Sequence, residues 1–262
     1  MPSTTPALFV SHGAPTAALD DDDYTRALAA WGRGVGRPRA IVVVSAHSEA
    51  RGPVRVNAAA HPPLVYDFYG FPDELYALRY PAPGSPVLAD DVLARLGAAS
   101  IEAQRDETGG WDHGVWVPLR LAFPAADLPV VSLSLPVPRT PELLLRAGAA
   151  LAPLREEGVL LVGSGGIVHN LRQLRWSAGE APEPWAAAFD DWVGERLFAL
   201  DVDGLRSYGL APDAALAVPS SEHFDPLFFV LGSRSPRDRV SGVFAGFRYG
   251  TLSLRSFALS AA

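Results

Sequence analysis

The sequence predicts an α/β fold with a mostly parallel, mixed central sheet flanked by helices, and three observations carry the prediction. Short runs rich in Val, Ile and Leu fall at about 7–11, 40–46, 130–135, 159–163 and 215–218, and such lengths suit strands buried on both faces. Helical stretches near 21–31, 86–97, 141–152 and 184–199 separate them, the alternation expected of strand–helix–strand crossovers. The C-terminal stretch VSGVFAGFRYGTLSLRSFALS instead reads as two strands around Tyr249 and Gly250, a hairpin at the sheet edge that makes the sheet mixed.

Taken in order, the first run, LFVSHGAP, stops at His12 because Gly13 and Pro15 cannot continue a strand. Asp20 to Asp23 place negative charge at a helix entrance, where the macrodipole favours it. The second run, AIVVVSAHSE, repeats the first with His47 at its end. His61 to Pro86 read as a folded insertion, packed by Tyr66, Phe68, Tyr69, Phe71, Tyr76 and Tyr80. Thr140, Pro141 and Glu142 form a cap, a first-turn proline and an acidic start for the third helix. VLLVGSGGIVHNL is a buried strand entering a glycine-rich turn; it lacks the spacing and the lysine of a phosphate loop. In ALAVPSSEHFDPLFFVLG a strand ends at Val218, and an apolar helix follows Glu222 and His223.

With 48% hydrophobic and 19% charged residues, the 262-residue chain can bury a full core without covalent staples, and residues 1–262 are expected to form one domain. No cysteine is present, which excludes disulfides, thiolate metal sites and a cysteine nucleophile; any metal must be held by His, Asp, Glu or backbone oxygen. A formal net charge of -7 argues against a long-range pull on nucleic acid or anionic lipid. No basic leader and no membrane-length apolar run is present, so a cytoplasmic location is expected. Oligomeric state is left open.

All six histidines, His12, His47, His61, His113, His169 and His223, lie in short segments dense in Gly, Pro or aromatics. Ligand sites of open α/β sheets gather at strand carboxyl ends, so His12 and His47 are expected to share a rim. Either alone would read as a turn or core histidine. For the third partner, Glu222 and His223 compete, because adjacent side chains diverge. His113, between two tryptophans, suits either an aromatic pocket or a packed core. His61, before two prolines, suits either a pocket or a rigid loop.

The motifs SHGAP, VVVSAH, HPPLVYDFYGFPDELYALRYPAPG, WDHGVWVPL, GSGGIVHNL and EHFDPL together resemble the class III extradiol ring-cleavage dioxygenases. The resemblance is to the branch similar to DOPA 4,5-dioxygenase and runs from about residue 8 to 248. It implies His12, His47 and His223 as metal ligands, His169 as the catalytic acid/base at the metal's edge, and His113 as a second histidine on the substrate. It further implies nonhaem Fe(II), with Zn(II) able to occupy the same donors, and a catechol opened by O2 to a semialdehyde. A substrate carboxylate would want a cation; Arg248 in GFRYG, as against a salt-bridged arginine, and His61 are the candidates. The other readings are a zinc hydrolase using the same histidines, and a metal-binding relative without chemistry.

Overall fold

The computed structural model describes residues 4–175 and 181–261. Its main sheet has eight strands: β1 (Ala7–Ser11), β2 (Ala40–Arg51), β3 (Val54–Asn57), β4 (Ala103–Asp106), β5 (Val130–Val137), β6 (Val159–Gly165), β7 (Asp238–Phe244) and a last strand, Ser256–Ala261. Two short strands, β8 (Phe247–Arg248) and β9 (Leu252–Ser253), form a separate hairpin, so the last strand is β10. The main order is β4-β3-β5-β2-β6-β1-β10-β7. β1, β2, β5 and β6 run parallel at its centre, while β10 joins β1 antiparallel, giving the expected mixed sheet.

Helices cover both faces. α1 (Asp23–Val35), a one-turn α2 (Asp73–Ala77), α3 (Pro86–Ala98), α4 (His113–Ala122), α5 (Pro141–Leu151), α6 (Pro184–Ala199), α7 (Val202–Arg206), α8 (Ala214–Ala217) and α9 (Pro226–Gly232) follow in chain order. The period-2 geometry of β2 sends Ala40, Val42 and Val44 into the core under α3, α5, α6 and α9, and Ile41 and Val43 into the core under α1 and α4. No described helix is long and apolar enough to cross a membrane.

Several expectations are corrected. The run at 215–218 is not a strand: Ala214–Ala217 is a helical turn that buries Ala214 and Ala217 and packs with α6. β2 does not stop before His47 but continues to Arg51, with a register shift between Val44 and Glu49 where the chain bulges. β1 and β2 are not neighbours, since β6 lies between them. The short strands β3 and β4 carry too little hydrophobic pattern to be read from sequence. α1 begins at Asp23 because Asp22 caps it, in a reciprocal capping box with Thr25. The tail hairpin is divided: β7 and β10 extend the main sheet, and β8 and β9 turn through Tyr249 and Gly250, both at positive φ.

Candidate metal centre and substrate pocket

The parallel strands β1, β2 and β6 end on one rim. His12 follows β1 directly, and its backbone N–H donates to Gly165 O at 3.1 Å. His47 stands at the β2 bulge, just beyond the last β2–β6 pair, Ser45 with Ser164. Two strands flanking a third stand roughly 9.5 Å apart, yet the His12 and His47 ring centroids are only 4.8 Å apart. Both side chains therefore lean inward over β6.

A chain of local causes fixes the His12 ring. Pro118, inside α4, has no N–H and leaves the Gly114 carbonyl without its helical partner. Ser164 Oγ donates to that carbonyl at 2.5 Å. With its only hydrogen committed, Ser164 accepts from His12 Nδ1–H at 3.0 Å. The His12 lone pair therefore lies on Nε2, pointing into the rim. Gly114 is itself required, since a Cβ there would meet Ser45 Oγ at 2.5 Å and His47 Cδ2 at 3.2 Å.

Carboxylates do the same for the other rings. Asp67 accepts from the His113 backbone N–H and from His113 Nδ1–H, each at 2.9 Å, and lies 3.5 Å from His47 Nδ1. Glu222 Oε1 accepts from His223 Nδ1–H at 3.1 Å and from Ser220 Oγ at 2.9 Å. That contact holds Glu222 down to about 2, the His223 hydrogen bond being the largest cause. In the glycine-rich turn a Cβ on Gly165 would meet the His223 carbonyl at 2.0 Å, so only glycine admits the loop that delivers His223. His169 is held by its N–H to Ala217 O at 3.0 Å and by an isolated bridge to Leu252. Its ring stacks on His223 with centroids 3.4 Å apart and ring planes nearly parallel.

Donor atoms thus converge in two adjoining sets: those of His12, His47 and His113 lie within 4.8 Å of one another, as do those of His169, Glu222 and His223. The sets meet, for the His223 ring centroid is 4.9 Å from His47 and 5.3 Å from His12. His12 Nε2 and His47 Nε2 face each other at 3.0 Å, two acceptors with no hydrogen to share once both Nδ1 atoms are protonated. His223 Nε2 is buried without a partner. Burial disfavours proton capture: it lowers His12 and His223, His47 to about 2 and His169 to about 3. Neutral imidazoles with converging lone pairs fit a divalent cation.

The cluster opens into a cavity of about 940 Å³ whose wall includes Asp67, Phe68, Phe71, Asn170 and Arg172. The profile described as the catalytic LigB subunit of aromatic ring-opening dioxygenase matches residues 6–244. The chain belongs to this dioxygenase family. It is 39% identical to the 4,5-DOPA dioxygenase extradiol of Escherichia coli K12 over 254 residues, 96% of this chain and 93% of that one. It is 38% identical to the Beta vulgaris protein of the same name over 261 residues, covering 95% and 94%. The crystal structure of an uncharacterized Escherichia coli K12 protein superposes with a TM-score of 0.85 at 36% identity, covering 98% of this chain and all of that one. Members of this family are metal-dependent enzymes that open aromatic rings with O2.

For this family member the structure brings five of the six histidines together. His61 is the exception: it is exposed in the insertion and outside the cavity wall. Arg248 is also not a pocket cation. Asp20 Oδ2 takes its Nη1 at 2.7 Å and Asp22 takes its Nη2, so the hairpin arginine is neutralised against the entrance of α1. Tyr69 does not pack the insertion but stands 93% exposed at the cavity mouth. Asp67 and Ser164 were not singled out from sequence; the available signal was a carboxylate among aromatics in VYDFYG and a hydroxyl inside an apolar strand.

Proposed function

We propose that this chain is a nonhaem Fe(II) extradiol dioxygenase that opens the ring of a catechol with O2 to a semialdehyde, placing both oxygen atoms in the product. In this reading His12, His47 and His223 hold the metal through Nε2, and residues 1–262 form one catalytic domain. The buried, partnerless His223 Nε2 beside the facing His12 and His47 Nε2 atoms is the observation that carries it. Glu222 is then an orienting carboxylate on His223 rather than a ligand. Ferrous iron would supply electron exchange between the diol and dioxygen, together with open coordination positions. Zn(II) suits the same imidazoles but has no redox chemistry.

His169 acts as the acid/base. Burial keeps the ring neutral, so its lone pair is available to a catechol hydroxyl, and the imidazolium it becomes releases the proton readily as the ring opens. His113 differs, because Asp67 accepts from its Nδ1–H at 2.9 Å and so orients the ring. In this reading His113 hydrogen-bonds the substrate oxygen where negative charge develops. Asp67 acts through His113 as a positioning residue. A cytoplasmic setting suits a ferrous enzyme of this kind.

The test is anaerobic Fe(II) loading followed by oxygen-electrode measurements on a panel of catechols. The expected result is one O2 consumed per catechol with a yellow ring-opened product. No O2 uptake with any catechol, alongside ester or amide hydrolysis by the zinc-loaded protein, would replace the proposal with the hydrolase reading.

A further inference from the structure

We propose that Arg172 selects substrates with an anionic side chain by pairing its guanidinium with a carboxylate at the cavity mouth; this rests on the catechol reading above. Among the described residues the cavity wall carries three charged side chains apart from histidines: Asp67, Glu222 and Arg172. The two carboxylates are engaged on His113 and His47, and on His223 and Ser220. Arg172 is exposed, and its side chain has no carboxylate partner among the described residues. Of the other arginines adjoining wall residues in sequence, Arg248 is held by Asp20 and Asp22, and Arg175 by Glu183.

Geometry places Arg172 in a fixed relation to the chemistry. It lies in a one-turn 3-10 helix, Leu171–Gln173, three residues after His169. The Asn170 side chain caps that turn by accepting the Arg172 backbone N–H at 3.0 Å and donates to Leu216 O at 2.8 Å. Leu171, 58% exposed, and Tyr69 stand at the same mouth. A substrate whose diol enters the histidine cluster thus meets an apolar collar and then the Arg172 guanidinium, whose planar fork matches a carboxylate.

The test is anaerobic calorimetric titration of the Fe(II)-loaded protein with a matched pair, 3-(3,4-dihydroxyphenyl)propionate and its primary amide. The wild-type protein is expected to bind the acid more tightly by about tenfold, as a partly solvated charge-assisted pair allows. Arg172→Gln should erase the preference, Arg172→Lys should keep part of it, and Arg248→Gln should leave it intact. Because the Asn170 cap uses only the backbone of residue 172, these variants should fold, which circular dichroism would check. An unchanged acid-to-amide ratio in Arg172→Gln, or equal binding of both compounds by wild type, would overturn the inference. Binding of neither compound would overturn the catechol reading and this inference with it.

Discussion

Two buried polar clusters lie at opposite ends of the central strands, and only one is complete in itself. At the amino end of β1 and β6, Arg155 is 1% exposed. Its five N–H groups go to Thr5 O, Ser233 O, Leu259 O and both oxygens of Asp238, at 2.6 to 3.1 Å. At the carboxyl end His12, His113 and His223 have their Nδ1 atoms partnered, while the Nε2 atoms of His12 and His47 face each other and that of His223 has no partner among the described residues. Burial without a partner costs stability, so the first cluster acts as a brace, while the second gives up stability for the metal-binding role proposed above.

That contrast can be broken by four experiments. His169→Ala should lower turnover by about 10²–10⁴-fold, the usual contribution of a positioned acid/base, while elemental analysis finds the metal retained and melting barely changes. Arg155→Met should do the opposite. Loss of one partner from a buried pair costs about 3–5 kcal/mol in denaturant unfolding, with metal content per folded chain unchanged. An Arg155→Met protein as stable as wild type would end the view of that cluster as a brace.

Smaller effects sharpen the comparison. Ser164→Ala removes the oxygen that fixes the His12 tautomer and should weaken metal affinity by about 10–100-fold in a chelator competition. The pH dependence of the metal-free protein should separate the two ends. His47 and His169 have folded values lowered by burial to about 2 and about 3, below an unfolded value near 6.5. Between these limits the unfolded chain binds more protons, so stability falls as pH drops below about 6.5, by about 1.4 kcal/mol per pH unit for each ring. At the brace, burial pushes Asp238 up, but the Arg155 and Ser235 hydrogen bonds outweigh it and leave a net lowering. Its contribution is therefore lost only as pH falls below the ordinary carboxylate range. A flat unfolding free energy from pH 7 to pH 5 would contradict the picture of unpartnered, neutral histidines.

What was legible in the sequence followed from local pattern. The parallel strands show as apolar runs, and α3, α5 and α6 begin at prolines behind a cap or an acidic residue. All six histidines stood out because they lie in short segments dense in Gly, Pro or aromatics, and it was the family resemblance that implied His12, His47, His113, His169 and His223 as the site. The rest depended on contacts between distant segments. Asp67 reaches His113 from 46 residues away, and Ser164 links His12 to Gly114 across three elements. Arg248 was open to two readings, substrate cation or salt-bridged arginine, because nothing local revealed that the hairpin folds back onto Asp20 and Asp22. The AALA turn was misread as a strand because four apolar residues carry no periodicity that separates strand from helix.

The central claim is that His12, His47 and His223 hold one divalent cation, although the donor atoms of His12 and His47 group just as closely with His113. Metal stoichiometry by mass spectrometry on anaerobically Fe(II)-loaded His223→Ala and His113→Ala decides between the two triads. The account predicts close to one iron per chain in His113→Ala and essentially none in His223→Ala. The reverse pattern, iron lost with His113 and kept without His223, would contradict it.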